Sequence, residues 1–371
     1  MHQIQRLRNF DTIRLVAAAS VIFSHAFLIA DGHDKNEPFV RATGYILGIY
    51  GVCVFLIISG YLVTHSLRTS SSLRSFAWKR FLRIYPALFA CAVFGAFIVA
   101  PFFSELAPRD YLLSLPGVKY VAKVMLLYDV KDIKGVQFYQ QGPDWLRSMI
   151  NGSLWSIASE IYCYILLFVF AALDLIVLPV AIFGLLVGTV LFAFNLSGWL
   201  PLSSVSQTLL YTVPSFCAGV AMYLVHERFK LSRNIAVGFA VFLLFAAPTG
   251  WLLVLFPILA AYPIICFGLS NTLWMKDATR FGDLSYGTYL YGWPIEQVLR
   301  GVIGPFLSGW TLCLISLPIA VACGWASWHL IEKHALSFKG LVSKRAALLN
   351  PQAIDTNPSS SEFNMQHGRS D

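Results

Sequence analysis

The sequence predicts an all-α membrane protein, a polytopic bundle of about ten transmembrane helices with both termini in the cytoplasm. Hydrophobic residues make up 57% of the 371 residues and charged residues only 12%, whereas about a quarter of the residues in soluble domains are charged. The apolar residues gather into runs of about 20, the length at which an α-helix crosses a bilayer. No small-residue cleavage site separates the first run from the second, so we expect the first run to stay as a membrane helix.

Windows of about 20 residues give ten predicted spans. They cover residues 12–31, 43–65, 84–103, 153–173, 175–195, 207–226, 234–248, 251–270, 285–303 and 309–331. Residues 1–335 are therefore expected to form one membrane domain. Residues 336–371 are expected to form a cytoplasmic basic segment and a disordered tail, because the chain after Asn350 is rich in Ser, Asn, Gln and Pro.

Basic residues predict which connections face the cytoplasm. They gather before span one, between spans two and three, and after spans six, eight and ten. These residues are Arg6 and Arg8; Arg68, Arg74, Lys79, Arg80 and Arg83; Arg228, Lys230 and Arg233; Lys276 and Arg280; and Lys333, Lys339, Lys344 and Arg345. By the positive-inside rule, both termini and the even-numbered connections are cytoplasmic. The long connection over about 104–152 is then external, and its apolar stretch 118–128, interrupted by Lys119 and Lys123, predicts an interfacial helix.

Composition argues against two kinds of site. The seven cysteines all lie in apolar runs, without the short-spaced Cys or His partners of a zinc site. They are predicted to be small buried hydrophobes, and no metal site is predicted. The formal net charge of +8 is attributed to basic cytoplasmic loops and does not indicate nucleic acid binding.

The first apolar run contains two ionisable side chains that point to function. Arg14 and His25 are separated by ten residues and hence lie about 16 Å apart along a helix. An imidazole such as that of His25 ordinarily titrates near neutral pH and suits a general base. The alternative is a structural histidine that forms a hydrogen bond between helices. Arg14 suits a phosphate clamp or a cytoplasmic anchor of the span. Asp11, just before the run, is predicted to be an N-cap.

Two further arginines lie at the start of span three, in the segment KRFLRIYP. Arg80 and Arg83 are spaced i, i+3 and so share one face of a helix. Together they suit a diphosphate or a 3′-phosphorylated nucleotide on the cytoplasmic side. The alternative is a purely topological role with contacts to lipid headgroups.

Other polar residues in the spans have both functional and structural interpretations. Glu160, at the external end of span four, is expected to approach the level of His25 and orient its imidazole, unless it is exposed to water. Ser59 and Gly60 are predicted to be a close-packing pair between helices. Glu296 and Arg300, spaced i, i+4, are expected to neutralise each other. Glu332 is interpreted as an exposed residue at the cytoplasmic interface.

Taken together, these motifs resemble the acyltransferase 3 family of integral-membrane acyltransferases, which includes bacterial O-acetyltransferases of surface polysaccharides and lipid-linked sugars. The resemblance covers residues 8–335. Its motifs are Arg14 and His25 after Phe10 and Asp11; Arg80 and Arg83 with Tyr85 and Pro86; Ser59 and Gly60; Trp155, Ser156 and Glu160; the segment 284–295; and Trp328, Ile331 and Glu332.

The chain departs from the family pattern at three positions. Leu15 replaces a common Gly, Gly292 replaces a common His, and His334 replaces a common Pro. Leu15 and Gly292 make the chain look more like the exopolysaccharide acetyltransferases of soil bacteria. A soluble esterase-like domain, which some members carry, is not expected here.

The resemblance implies a multi-pass protein of the bacterial inner membrane that moves an acyl group from acyl-CoA, with acetyl-CoA expected, to a sugar hydroxyl of a surface polysaccharide or lipid-linked glycan. No permanently bound cofactor is implied. The implied roles are acyl-CoA binding by Arg14, Arg80 and Arg83; catalysis by His25 and Glu160; and structural or substrate contacts by Asp11, Ser59, Tyr85, Trp155 and Glu332.

Three alternatives stay open at this point. An acyl-histidine intermediate on His25 is a covalent variant of the same reaction. A transporter or flippase of a polysaccharide unit or acylated metabolite would use His25 and Glu160 as a proton relay. A scaffold of a polysaccharide synthase complex would need neither residue for chemistry.

Overall fold

The computed structural model describes residues 2–128, 132–200, 204–270 and 281–341. Within these ranges the protein is helical, with two isolated β-bridges and no β-strand. Lys276, Arg280, Lys344 and Arg345, together with the predicted tail after Asn350, lie outside the described residues.

Most helices follow one another with connections of a few residues, whereas the segment between residues 103 and 153 is long and contains only short helices. The α-helices are α1 (His2–Asp31), α2 (Pro38–Thr43), α3 (Leu47–Arg68), α4 (Leu73–Val93), α5 (Pro108–Leu112), α6 (Pro116–Met125), α7 (Asp144–Arg147), α8 (Leu154–Ala172), α9 (Leu178–Leu196), α10 (Ser204–His226), α11 (Arg233–Ala246), α12 (Leu252–Gly268), α13 (Ser285–Ile303), α14 (Gly309–Ser327) and α15 (Lys333–Ser337). Two π-helices, Phe94–Val99 and Trp328–Glu332, extend α4 and α14.

All ten predicted apolar runs are helical, and the prediction of an all-helical membrane bundle is confirmed. Seven helices are long and apolar enough to cross a membrane: Asn9–Asp31, Leu47–Arg68, Leu73–Phe102, Leu154–Ala172, Leu178–Leu196, Gln207–His226 and Gly309–Gly340. Arg233–Thr249 and Leu252–Gly268 are shorter apolar helices, and α13 is not among the seven. The count of ten spans and the cytoplasmic position of the termini therefore stay predictions.

Helix α13 is less apolar because it lies at the centre of the bundle. Its buried residues include Tyr286, Tyr289, Trp293 and Glu296, and it packs against α1, α4 and α14. A helix surrounded by protein does not face lipid, so it tolerates polar and ionisable side chains that a lipid-facing helix excludes.

Two contacts show that α1 and α13 run parallel. Arg14 lies beside Asp283, just before α13, and His25 packs against Trp293. The two contacts are eleven residues apart on α1 and ten on α13, so both helices rise about 16 Å between them. We call the end of the bundle that carries Arg14, Arg80 and Arg83 the arginine end, and the opposite end the loop end.

The connection between residues 103 and 153 covers the loop end. Helix α6 is amphipathic, with Tyr120 and Val124 buried and Lys119 and Lys123 exposed, so the predicted helix in this connection is confirmed. Two side chains of α13 fasten the connection. The Trp293 indole donates to the Met149 carbonyl at 3.1 Å, and the Gln297 amide donates to the Leu146 and Met149 carbonyls at 2.6 and 2.8 Å.

Helices α3 and α10 approach closely because each presents a glycine to the other. A Cβ on Gly60 would lie 2.2 Å from the Phe216 carbonyl oxygen, and one on Gly219 would lie 2.0 Å from the Ile57 carbonyl oxygen. Small residues are the usual means of close packing between membrane helices. The predicted packing role is confirmed for Gly60.

This contact predicts that replacing glycine by alanine affects stability differently at Gly60 and at Gly238. Gly60→Ala should destabilise the protein by about 1–3 kcal/mol, because the methyl group forces α3 and α10 apart. Gly238→Ala on α11, where nothing lies within 4 Å of the added Cβ, should be neutral or slightly stabilising through helix propensity. Thermal unfolding of both purified variants measures this, and equal melting temperatures would contradict the assigned contact.

Candidate active site

Asp283 joins two arginines from different helices at the arginine end. Arg14 Nη1 of α1 lies 3.6 Å from Asp283 Oδ2, and Arg83 Nη2 of α4 hydrogen-bonds the same oxygen. The other carboxylate oxygen accepts the Ser285 backbone N–H at 3.2 Å and the Ser285 hydroxyl at 2.6 Å. Asp283 therefore fixes the start of α13 against α1 and α4.

The arginines keep the Asp283 carboxyl ionised. Burial by itself would raise the pKa of this carboxyl, but the charges of Arg83 and Arg14, with the Ser285 hydrogen bond, outweigh burial and lower the pKa to about 2. A carboxylate and two guanidinium groups thus form a charged triad that is stable at neutral pH.

Glu332 extends this triad from the end of α14. It is 2% exposed, accepts the Ser327 hydroxyl at 2.9 Å, and lies 3.6 Å from Arg83 Nη1. The interpretation of Glu332 as an exposed interface residue is wrong, because the π-helix Trp328–Glu332 adds an extra residue per turn and so changes the face that the carboxylate presents.

Arg80 differs from Arg14 and Arg83 in having no ion pair within the described part of the chain. Its Nη2 lies 3.4 Å from the Ser66 hydroxyl, its guanidinium carbon lies 6.0 Å from the centre of the Tyr164 ring, and its buried Nε has no hydrogen-bond partner. Among the described residues, Arg80 thus has no counter-charge of its own, in contrast to Arg14 and Arg83.

A small polar cavity of about 40 Å³ lies among these groups and brings the three predicted arginines together with Glu160. Its lining residues are Arg14, Phe55, Arg80, Arg83, Ile84, Glu160, Tyr164, Ser285 and Tyr286. The Glu160 carboxylate accepts hydrogen bonds from Ser59, at 2.8 Å, and from Tyr164. Ser59 therefore bonds Glu160 and does more than pack between helices.

Glu160 is not the partner of His25 that we expected. The position of Glu160 along the bundle follows from α8, which runs antiparallel to α13. The Ser156 hydroxyl of α8 lies 2.5 Å from the Tyr289 hydroxyl of α13. Glu160 lies one helical turn after Ser156 and is therefore closer to the arginine end. His25 lies one turn beyond Tyr289 in the other direction, against Trp293. The two side chains are therefore about 10 Å apart along the bundle.

An apolar cavity of about 290 Å³ adjoins the polar one. It shares Arg80, Ile84 and Tyr164 with the polar cavity and is otherwise lined by Phe76, Ala77, Phe81, Tyr85, Ile161, Ile165 and Phe168. Tyr85 stacks on Phe81 at 4.9 Å. Tyr85 thus belongs to an apolar wall between α4 and α8.

His25 lies deeper in the bundle, with one ring nitrogen unpaired. The preceding Ser24 hydroxyl accepts the Gly48 N–H at 2.7 Å and donates to the buried Glu37 at 3.1 Å, which orients α1 so that His25 meets α13. Its imidazole is 8% exposed and packs edge-on against Trp293 at 4.7 Å. Nδ1 is buried and has no hydrogen-bond partner among the described residues.

Three side chains on one face of α13 contact three successive regions of the site. Tyr286, Trp293 and Arg300 are seven residues apart, so they share a face and are spaced by about 10 Å. Arg83 lies 5.8 Å from the Tyr286 ring centre, His25 lies 4.7 Å from that of Trp293, and Arg300 lies 5.4 Å from that of Tyr139. His25 therefore lies between an arginine cluster and a covered loop end.

Two other predicted site residues, Asp11 and Trp155, line neither of these two cavities. Asp11 lies inside α1, which begins at His2, so the N-cap prediction is wrong: the polar residues before the apolar run continue the helix. Trp155 packs edge-on against Tyr211 and lines neither cavity.

Glu296 and Arg300 do not neutralise each other. Glu296 accepts the Ser316 hydroxyl at 3.3 Å, whereas Arg300 donates to the Gly304 carbonyl at 2.5 Å. Spacing alone does not pair them because α14 and the end of α13 supply nearer partners. Gly292, one of the departures from the family pattern, packs against Ile22.

Sequence reasoning missed Asp283, Tyr164 and Tyr286. The pattern Asp-x-Ser directly before a predicted helix is a local signal for a side chain that binds the backbone at a helix start, and it marks Asp283. Tyr164 and Tyr286 were hidden among the many aromatic residues of the spans. In the described part of the chain, no group of three or more His, Cys, Asp or Glu residues is arranged to hold a metal ion.

The described helices form a membrane bundle with an arginine cluster at one end and a buried histidine deeper inside. A sequence model described as "Acyltransferase domain" matches residues 7–329, and the chain belongs to this acyltransferase family, as its motifs predicted. It is 27% identical over 355 residues to an O-acetyl transferase of Shigella phage Sf6, covering 88% of this chain and 96% of that protein. It is 28% identical over 380 residues to nodulation protein 10 of Rhizobium leguminosarum bv. viciae, covering 94% and 98%. No solved structure matches the chain.

Removing the Asp283 charge should destabilise the bundle strongly. Asp283→Asn leaves Arg14 without its ion pair and Arg83 with Glu332 alone, which should cost about 3–5 kcal/mol because both guanidinium groups are largely buried. Asp144→Asn is the matched control, because Asp144 also pairs with an arginine, Arg147, but its side chain is 89% exposed and such pairs contribute about 0–1 kcal/mol. Equal losses of thermal stability in the two variants would contradict the central role of Asp283.

The pKa of Asp283 also predicts a pH dependence. Because the folded pKa lies below the ordinary value of 3.8, the ion pairs stabilise the folded state fully above about pH 4 and progressively less as the pH falls toward 2. The difference in melting temperature between wild type and Asp283→Asn should therefore shrink as the pH falls from 4 toward 2. A difference that persists unchanged at pH 2 would contradict this assignment.

Proposed function

We propose that the protein is a membrane O-acetyltransferase that takes its acyl group from acetyl-CoA at the arginine end and transfers it to a sugar hydroxyl that enters from the loop end. The arginine end is cytoplasmic and the loop end external, in the inner membrane of a bacterium. The observation that carries the proposal is the position of His25, with its unpaired Nδ1, between Arg80 and the covered loop end. The O-acetyl transferase name of a relative supports the same reaction.

The donor binds by its phosphates to Arg80, with Arg14 and Arg83 fixed beside it by Asp283. Charge-assisted hydrogen bonds between guanidinium and phosphate are strong and geometrically specific. The pantetheine arm passes from the arginines toward His25, a distance along the bundle of about 10 Å from the level of Tyr286 and about 16 Å from that of Arg14. The polar cavity of about 40 Å³ must widen to admit the arm.

Transfer uses His25 as general base. Nδ1 takes the proton from the sugar hydroxyl while the hydroxyl oxygen attacks the thioester carbonyl, forming the new C–O bond. The C–S bond then breaks, and the leaving CoA sulfur takes the proton back from the imidazolium. The products are an acetyl ester and free CoA, and His25 returns to its neutral state.

Glu160 has a different role from the one expected at first. It holds Ser59 and Tyr164 by hydrogen bonds at the donor cavity, about 10 Å from the level of His25. It is a positioning residue for the donor cavity, and Trp293, which contacts the imidazole, positions the base.

Replacing His25 should abolish transfer without preventing folding. His25→Gln keeps a polar side chain of similar reach but removes the base, and general-base catalysis contributes about 10²–10⁴-fold. His33→Gln is the matched control, because His33 is exposed on the first loop. The measurement is acceptor-dependent release of free CoA by each purified variant, together with the mass of the acceptor glycan.

Two results would contradict this proposal. Retained turnover in His25→Gln would remove His25 from catalysis. If surface glycans in cells changed in amount and not in mass with the protein, and no CoA were released, the transporter interpretation would replace the acyltransferase one.

Replacing Arg80 should weaken donor binding. Arg80→Ala removes the guanidinium that has no ion pair, and loss of a hydrogen bond to a charged group costs about 1.5–3 kcal/mol, so the KM for acetyl-CoA should rise roughly tenfold or more. Arg74→Ala, at an exposed arginine of the same helix, should leave KM unchanged. An unchanged KM in Arg80→Ala would place the nucleotide elsewhere.

A further inference from the structure

A third cavity lies at the loop end, and a buried arginine forms part of its lining. It measures about 380 Å³ and is lined by Gln137, Phe138, Tyr139, Gln140 and Gln141 of the long connection and by Arg300, Gly301, Gly304 and Pro305 at the end of α13. We call it the loop-end cavity. It combines side-chain amides, backbone groups and an aromatic ring around one cation.

The cation of this cavity has no counter-ion among the residues that the structure describes. Arg300 is 7% exposed and forms no ion pair within the described part of the chain. One Nη donates to the Gly304 carbonyl, and the guanidinium lies over the Tyr139 ring. Glu296, one turn earlier, bonds Ser316 instead.

Polar atoms around Arg300 are also left unpaired. Arg300 Nε and the Tyr139 hydroxyl are buried without a hydrogen-bond partner among the described residues. A buried charge without a partner is costly, as is a buried polar atom without a hydrogen bond. An anion in the loop-end cavity, which Arg300 and Tyr139 line, would give the Arg300 charge a counter-ion and would leave the glutamine amides to bond neighbouring hydroxyl groups.

We propose that the loop-end cavity binds an anionic group, carboxylate or phosphate, of the acceptor glycan. This inference rests on the proposed function and names its acceptor as an acidic glycan. Arg300 lies seven residues beyond Trp293 on the same face of α13, about 10 Å from the level of His25. The anionic group thus binds at a distance from the hydroxyl that reacts, and it sets which hydroxyl reaches His25.

The test compares two acceptors that differ only in charge. The probes are an oligosaccharide containing glucuronic acid and its carboxyl-reduced neutral counterpart. Wild type should show a KM at least tenfold lower for the acidic probe, and Arg300→Gln should raise this KM to that of the neutral probe with little change in kcat. Arg300→Lys should retain part of the preference, and Arg109→Gln, at an exposed arginine of the same connection, should retain all of it.

Equal KM values for the two probes in wild type would overturn the proposal. An equal loss for both probes in Arg300→Gln would also overturn it, because that result indicates structural damage rather than lost recognition of charge.

A binding measurement separates this proposal from the proposed function. The His25→Gln protein, in discs of zwitterionic lipid, is titrated with the acidic oligosaccharide, with a sugar phosphate, and with vesicles of phosphatidylglycerol. Binding of either soluble probe that requires Arg300 supports the proposal even if no acceptor ever releases CoA, and the tighter probe identifies carboxylate or phosphate. Arg300-dependent binding of the anionic vesicles alone would assign the cavity to lipid and overturn the proposal.

Discussion

The ion pairs of Asp283 with Arg14 and Arg83 are the interaction on which the rest of the site depends. They join α1, α4 and the start of α13 at one point, and Glu332 adds the end of α14. Because these charges are buried, each is stable only in the presence of the others. The ion pairs therefore set the register of α13 against α1, and this register determines what lies beside His25.

Because of this register, three regions of the site lie in order along α13. The face of α13 that carries Tyr286, Trp293 and Arg300 meets the arginine cluster, the imidazole and the loop-end cavity in turn. On the proposed account, donor and acceptor approach His25 from opposite ends of one helical face. The Trp293 and Gln297 hydrogen bonds to the long connection keep the acceptor side in a fixed relation to the base.

The sequence predicted the helices well because run length and hydropathy are local properties. It also predicted that Arg80 and Arg83 share a face and that His25 lies deep in α1, since both follow from helix geometry. It failed for Glu160 and Glu332, whose surroundings depend on the level of α8 and on the π-helix after α14. The Asp-x-Ser pattern marks Asp283 as a helix-start residue, but its pairing with Arg83, 200 residues away in sequence, leaves no local signal.

The most direct test of the account uses sealed vesicles that contain the purified protein, with acetyl-CoA on the arginine side only and a glycan acceptor on the loop side only. The account predicts acetylated glycan on the loop side and free CoA on the arginine side for wild type, and neither product for His25→Gln. Transfer that occurs only when both substrates share one side, or that persists without His25, would contradict it.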